Sequence, residues 1–450
     1  MERRTAVMLL TSLLIASCSG EDVKSFPSDS GTDADTDADT DVDTDTDTDV
    51  DTDSDTDTGE NETPPELPDL CDVDMMDLPA SGPGDGQWPC AEFNGGILLG
   101  WAYDEQEGTI ADWDIQLAGY EPGPDGGVGE PDEPIEPSVL SEKPFMISRG
   151  DGFGLGWFDT RWDASCNVLD QESCDRDIAF ITLDGAGLPA NPIPIRVTQD
   201  AHLNLRPSIA ATDTGFLLVW GEQDGGDLHI NVVPLDQDGN PGDQQVVSGE
   251  ETGSIDRGPG IAALGTTAVI TWTSQSQNRV LALALSLDGT PTGEIQTVDE
   301  EYLSGAPTIT AGDDGFLVSW STIRVDDFEI YTRKLDSTGA PVGEPNRATW
   351  TTLDAEHPVT AWNGETFALL YVSPEANGTG DCTHSSCNQQ AFVALLDADG
   401  MIASTELRLS DNPNDCREPD LVWDGSGWFA VWELRQDMRQ QVYYGRMTCE

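Results

Sequence analysis

Positive charge is scarce in this 450-residue chain, which carries 20 Lys and Arg against 85 Asp and Glu, for a formal net charge of −65. Such a surface repels phosphate backbones and anionic headgroups, which argues against nucleic-acid or peripheral lipid binding. Histidine is nearly absent, with four in the whole chain, and no two cysteines stand in CxxC spacing. Zinc and dithiol redox chemistry are therefore poor expectations, and no cofactor is implied. No apolar run is long enough to span a bilayer as a mature helix. Catalytic signatures are missing as well: the sequence holds no GxSxG, no HExxH and no P-loop.

The first apolar run, Ala6 to Ala16, follows Arg3 and Arg4 and ends in Ile15-Ala16-Ser17-Cys18. A charged start, a short apolar core and small residues before a cleavage point make a signal peptide of residues 1–17. The tetrapeptide resembles the lipobox of bacterial lipoproteins, and that resemblance implies a diacylglycerol on the Cys18 thiol. Ser19, where an acidic residue would favour retention in the inner membrane, makes the outer membrane or cell surface the expected address. The partner implied is the membrane itself, through the Cys18 lipid.

Residues 18–70 read as a linker. Asp occupies every odd position from Asp33 to Asp57, mostly alternating with Thr. So few apolar groups cannot offset the entropy of ordering, and the carboxylates repel one another, so the expectation is an extended, disordered acidic stalk. Unstructured carboxylates also form no defined calcium cage. The 380 residues beyond the stalk still carry a net charge of −47.

From Cys71 onward the chain repeats. Pro144, Pro207, Pro259, Pro307, Pro358 and Pro419 each lie nine residues before Phe153, Phe216, Ala268, Phe316, Phe367 and Trp428, and Pro89 opens a seventh copy one residue shorter. Each copy ends an apolar strand on an aromatic: Trp101, Trp157, Trp220, Trp272, Trp320, Tyr371 and Trp432. The copy from Pro207 to Ser248 contains four short β-rich runs, the second apolar on both faces, with Asp- and Gly-rich turns between them. The LDxDG segments begin like calcium loops but lack a closing Glu at a fixed offset, so tight hairpins explain every copy. Seven such copies without helical periodicity predict an all-β fold, a seven-bladed propeller of four-stranded blades over residues 71–450. The last copy stops short of its fourth strand, and the stretch from Cys71 to Trp88 can supply it. The GFLVxW and LDxxGxP repeats resemble a group of propeller-bearing bacterial lipoproteins; the shared motifs are structural and carry no activity across.

Eight cysteines remain after Cys18, an even number in an exported chain, which points to disulfides. Ring closure pairs Cys71 with Cys449. The close pairs within two insertions give Cys166 with Cys174 and Cys382 with Cys387, and elimination leaves Cys90 with Cys416. The longest insertions follow Trp101, Trp157 and Tyr371, on the face that also receives the residues preceding each proline. Trp88, Lys143, Arg206, His357 and Glu418 are the candidate ligand-binding residues there, beside Gly258 and Ala306. An aromatic with cationic and titratable groups suits an anionic or sugar ligand. The expected function is a monomeric, non-catalytic binding or scaffolding module for a protein or glycan. The alternative is a glycan-active hydrolase or lyase that uses channel-mouth carboxylates and His357, marked by a deep pocket gathering Glu418, Glu356 and His357.

Overall fold

The computed structural model describes residues 65–449, apart from short segments at 82–84, 105–112, 122–126, 139, 167–173, 200–202, 225, 250–255, 301–304, 325–326, 352, 375–388, 412–413 and 437–438. The signal peptide, Cys18 and the Asp ladder lie outside the described residues. Seven four-stranded antiparallel sheets make up the fold, and no helix occurs among the described residues. The inner strands of blades 1 to 7 are Asp85–Phe93, Ser141–Arg149, Leu203–Thr212, Asp256–Leu264, Thr308–Ala311, Glu356–Trp362 and Asp415–Trp423. In blades 1 to 6 the next three strands follow in chain order outward, as a propeller requires. Blade 7 takes its outermost strand, Cys71–Pro79, from the other end of the chain, where it pairs with Arg439–Cys449.

Packing between blades explains the sequence pattern. On the second strand of blade 3, Phe216, Leu218 and Trp220 join Ile178 and Phe180 of blade 2, while Leu217 and Val219 join Ile270 and Trp272 of blade 4. A strand sandwiched in this way has no solvent face, so period-two alternation is lost and a continuous apolar run appears. The repeating aromatics Trp101, Trp157, Trp220, Trp272, Trp320, Tyr371 and Trp432 are all fully buried in these interfaces.

The LDxxG turns are structural. In blade 3, Asp236 accepts backbone hydrogen bonds from Asp238 at 3.0 Å and Asn240 at 2.8 Å, closing its own hairpin. Gly239 then turns with φ of 88°, and a Cβ there would lie 2.6 Å from the Phe180 ring of blade 2. Only glycine satisfies both the left-handed backbone and the close approach to the preceding blade.

Two expected disulfides are present, Cys71–Cys449 and Cys166–Cys174. The first links residues paired directly across the closing strands. Cys382 and Cys387 lie outside the described residues. The fourth pairing is corrected, because Cys90 and Cys416 are both buried and neither is in a disulfide. They sit on adjacent inner strands but face opposite ways. Cys90 packs with Trp157 and Leu155 between blades 1 and 2, whereas Cys416 packs with Ala391 and Leu409 between blades 6 and 7. Elimination ignored the period-two alternation that separates neighbouring side chains onto opposite faces of a blade.

Candidate functional site at the closing seam

The prolines that mark the repeat sit at a recurring β-bulge. In six of the seven inner strands the pairing register shifts between the residue two before the proline and the residue after it, for example between Arg417 and Asp420. The residue just before the proline takes a left-handed backbone: Trp88 (φ 51°), Lys143 (52°), Arg206 (45°), Gly258 (57°), His357 (54°) and Glu418 (45°). Side chains rarely adopt this conformation, and a following proline ordinarily favours extended backbone. Such a bulge re-aims a side chain out of the strand's alternation, and each residue stands at the start of an inner strand. The structure thus brings the five candidate residues to equivalent positions around one end of the channel.

The ring is lopsided. Blades 6, 7, 1, 2 and 3 contribute His357, Glu418, Trp88, Lys143 and Arg206 in succession, whereas blades 4 and 5 contribute Gly258 and Ala306. A Cβ added to Gly258 would lie 2.3 Å from the Cβ of Ala306, so that side is closed down to backbone. On the functional arc, the Lys143 ammonium sits 5.4 Å from the Trp88 ring centroid, and Trp88 packs at 5.7 Å against the buried Trp113. Arg206 forms no ion pair or hydrogen bond among the described residues.

Two residues missed by sequence reasoning complete the arc. Glu433 lies on the second strand of blade 7 (Trp428–Gln436), directly opposite Arg417 on the inner strand. Its buried carboxyl accepts the Trp88 N–H of blade 1 at 3.2 Å. Burial first, and then the charge of Glu418, push Glu433 up to about 7, with the Trp88 N–H and the Arg417 and Arg435 guanidinium groups opposing. Arg417 keeps its buried Nε and Nη1 without hydrogen-bond partners among the described residues. Its one ion-pair contact, to Asp415, is long at 3.9 Å.

A second acidic pair lies on the inner strands of the same two blades, with Glu92 turned towards Ser148 of blade 2. Asp420 accepts the Ala91 N–H across the blade boundary at 2.9 Å and the Leu421 N–H at 2.9 Å. Desolvation nevertheless raises it to about 6. Glu92 is raised to about 8, by burial and then by the Asp420 charge, against hydrogen bonds from Ser148 and Phe93. The repeat itself shows how unusual this is. Positions equivalent to Glu92 hold Ile147, Ala210, Ala262, Thr310, Ala361 and Val422, and those equivalent to Glu433 hold Ala102, Phe158, Gly221, Thr273, Ser321 and Val372. Aligning those positions is the signal that could have found the seam from sequence.

Other expectations fare differently. Among the described residues, no hydrogen bond joins His357 to Glu356 or Glu418; Glu356 instead accepts one from Gln389 at 3.3 Å. A concavity of about 290 Å³ opens on the turn face between blades 5 and 6, lined by Trp362, Phe367, Asp313, Asp314, Lys334 and Glu365. The turn face is therefore more than a row of hairpins.

No family model matches the sequence, and no curated protein matches it. Among solved structures, a protein of unknown function from Dyadobacter fermentans is similar over 84% of this chain and 99% of its own, at 10% identity and a TM-score of 0.50. Trypanosoma rangeli sialidase is similar over 82% of this chain at 9% identity and a TM-score of 0.42, with this chain spanning 57% of its length. A GH43_1 enzyme from Xanthomonas citri, crystallised with xylotriose, is similar over 60% of this chain and 92% of its own, at 13% identity and 0.35. Likenesses this distant speak to the propeller fold. The expectation of a non-catalytic binding or scaffolding module is corrected here. The channel mouth holds a buried carboxyl, Glu433, fixed by the Trp88 N–H and raised to about 7, which such a module does not call for.

Proposed function

We propose that this chain is a glycan-active hydrolase whose acid pair is Glu433 and Glu418, at the mouth of the closing seam. One observation carries the reading: a buried carboxyl held near neutrality sits beside a second carboxylate, under an aromatic platform. Glycosidic cleavage needs one carboxyl able to deliver a proton to the leaving oxygen and another that stays ionised at the sugar. Burial keeps Glu433 protonated to about pH 7, which fits the first role, and Glu418, whose charge contributes to that shift, fits the second. Trp88, with Trp113 behind it, offers a face on which a sugar ring can stack. His357 enters only as a rim residue, one blade away from Glu418.

We place the enzyme outside the cytoplasm as a monomer, held at the outer membrane or cell surface by a lipid on Cys18. The signal-peptide pattern and the presence of disulfides support that address. Fatty-acid labelling of wild type but not of Cys18→Ala is the expected outcome; equal labelling of both removes the anchor.

The activity is tested by a reducing-end assay of the full chain against a panel of oligosaccharides. Glu433→Gln should lower kcat by roughly 10²–10⁴-fold, the usual contribution of a positioned general acid. Wild-type turnover should fall as pH rises through about 7, where Glu433 loses its proton. Undiminished turnover by Glu433→Gln overturns the assignment of this pair.

A further inference from the structure

We infer that the glycan taken at this mouth is anionic, bearing a carboxylate or sulfate that sits between Arg206 and Arg417 across the Trp88 platform. The inference rests on the hydrolase reading for what happens next, but its own grounds are separate. In a chain with more than four acidic residues for each basic one, a cation is expected to be spoken for. Most are: Arg161 and Arg324 grip buried aspartates at 2.7 and 3.0 Å, and Arg347 and Arg446 hold Glu329 and Asp424 at 2.7 Å each. Arg206 and Arg417 depart from that rule in one arc, Arg417 in degree, since Arg161 and Arg324 each leave a buried Nε unpartnered while Arg417 leaves both Nε and Nη1 and reaches Asp415 only at 3.9 Å. Arg206 has no ion pair or hydrogen bond among the described residues, and Arg417 keeps two buried N–H groups without partners.

Unsatisfied guanidinium nitrogens in a buried setting cost stability unless something fills them. A planar fork of N–H donors matches a carboxylate or sulfate oxygen pair. The left-handed bulge that directs Arg206 to the mouth is repeated at Lys143, whose ammonium lies over Trp88. The acidic groups nearby bear on the same point. Glu433 is protonated over much of the neutral range, so the mouth is less negative than its residue list suggests.

The test uses full-length protein with matched probes: oligogalacturonate against its methyl ester, and sulfated against desulfated galactan oligosaccharides. Calorimetry reads binding and the reducing-end assay reads cleavage. At least one acidic ladder should bind roughly tenfold or more tightly than its neutralised partner, since a charge-assisted hydrogen bond is worth about that much. Which ladder binds separates carboxylate from sulfate. Arg206→Ala and Arg417→Ala should each lose that preference, while Arg279→Ala, which removes an exposed guanidinium from the same face at the rim of blade 4, should keep it. Equal binding or cleavage of acidic and neutral probes, unchanged in Arg206→Ala, overturns the inference and leaves the hydrolase reading standing. Selective acidic binding with no cleavage of any probe does the reverse.

Discussion

Removing the bond that closes the ring gives the sharpest test of how this propeller is stabilised. Cys71 and Cys449 are 378 residues apart in sequence, so their bridge spans nearly the whole folded chain. The chain-entropy relation for a loop of that length gives about 6 kcal/mol at 25 °C, and measured losses for native disulfides usually fall at about 2–5 kcal/mol. The same relation gives about 2.5 kcal/mol for the eight-residue separation of Cys166–Cys174. Strand pairing survives in both double serine variants, because Asp72↔Thr448, Val73↔Met447 and the Asp74–Arg446 ion pair remain in the closing blade. Guanidinium unfolding, followed by fluorescence of the buried tryptophans, should therefore still show a cooperative transition. Its midpoint should be lower in Cys71→Ser/Cys449→Ser than in Cys166→Ser/Cys174→Ser. A closure variant that loses less than about 1 kcal/mol, or less than the short-loop variant, would show that the ring is held by its strands and not by loop closure.

Cys90 and Cys416 should react with a thiol-alkylating reagent only after unfolding, and peptide mapping that joins them by a disulfide would refute their assignment as unbridged cysteines. Gly258→Ala should destabilise by about 1 kcal/mol or more, because the new methyl meets Ala306 and the backbone is left-handed; an unchanged melting temperature would mean the bulge relaxes freely. The raised carboxyls also fix a direction with pH. Glu92, Glu433 and Asp420 bind protons more tightly folded than unfolded, so their contribution is fully present below about pH 4 and is lost as pH rises through about 6 to 8. Glu92→Gln should flatten the fall in stability between pH 5 and 8, and an unaltered slope would remove Glu92 from the account.

The blade pattern was legible because its causes are local and repeated. Proline at the inner strand, apolar residues on both faces of the second strand, a buried aromatic at its end and Asp-x-x-Gly at the hairpin each answer one physical demand, and the demand recurs in every blade. The closing strand was legible for the same reason, since a missing fourth strand is visible only against six complete copies. What escaped depended on direction. The alternation that sends Cys90 and Cys416 to opposite faces needs a strand register, and the register shifts at the bulge beside each proline. The left-handed backbone before those prolines runs against the ordinary preference of such residues, so it could not be read from the sequence.

The placement of the chemistry follows from how a repeat closes. Six seams of the ring join consecutive copies and bury mostly apolar side chains, and carboxyls buried elsewhere in those blades, such as Asp159, Asp299 and Glu329, are paired with an arginine. The seventh seam joins the last copy to the first, and its outer strand comes from the opposite end of the chain. Side chains there answer to a different set of neighbours. Asp420 finds the Ala91 N–H, Glu433 finds the Trp88 N–H, and Arg417 stands across from Glu433. Each acid is held by a single N–H from the adjoining blade, which is enough to fix its position but not enough to return its pKa to an ordinary value. A buried carboxyl that is fixed in place and still ready to give up a proton at neutral pH is what general-acid chemistry requires. Buried carboxyls elsewhere in the ring, such as Asp177 and Glu329, are also raised by burial but are gripped by Arg196 and Arg347, whereas Glu433 in the closing seam is held by the backbone N–H of Trp88.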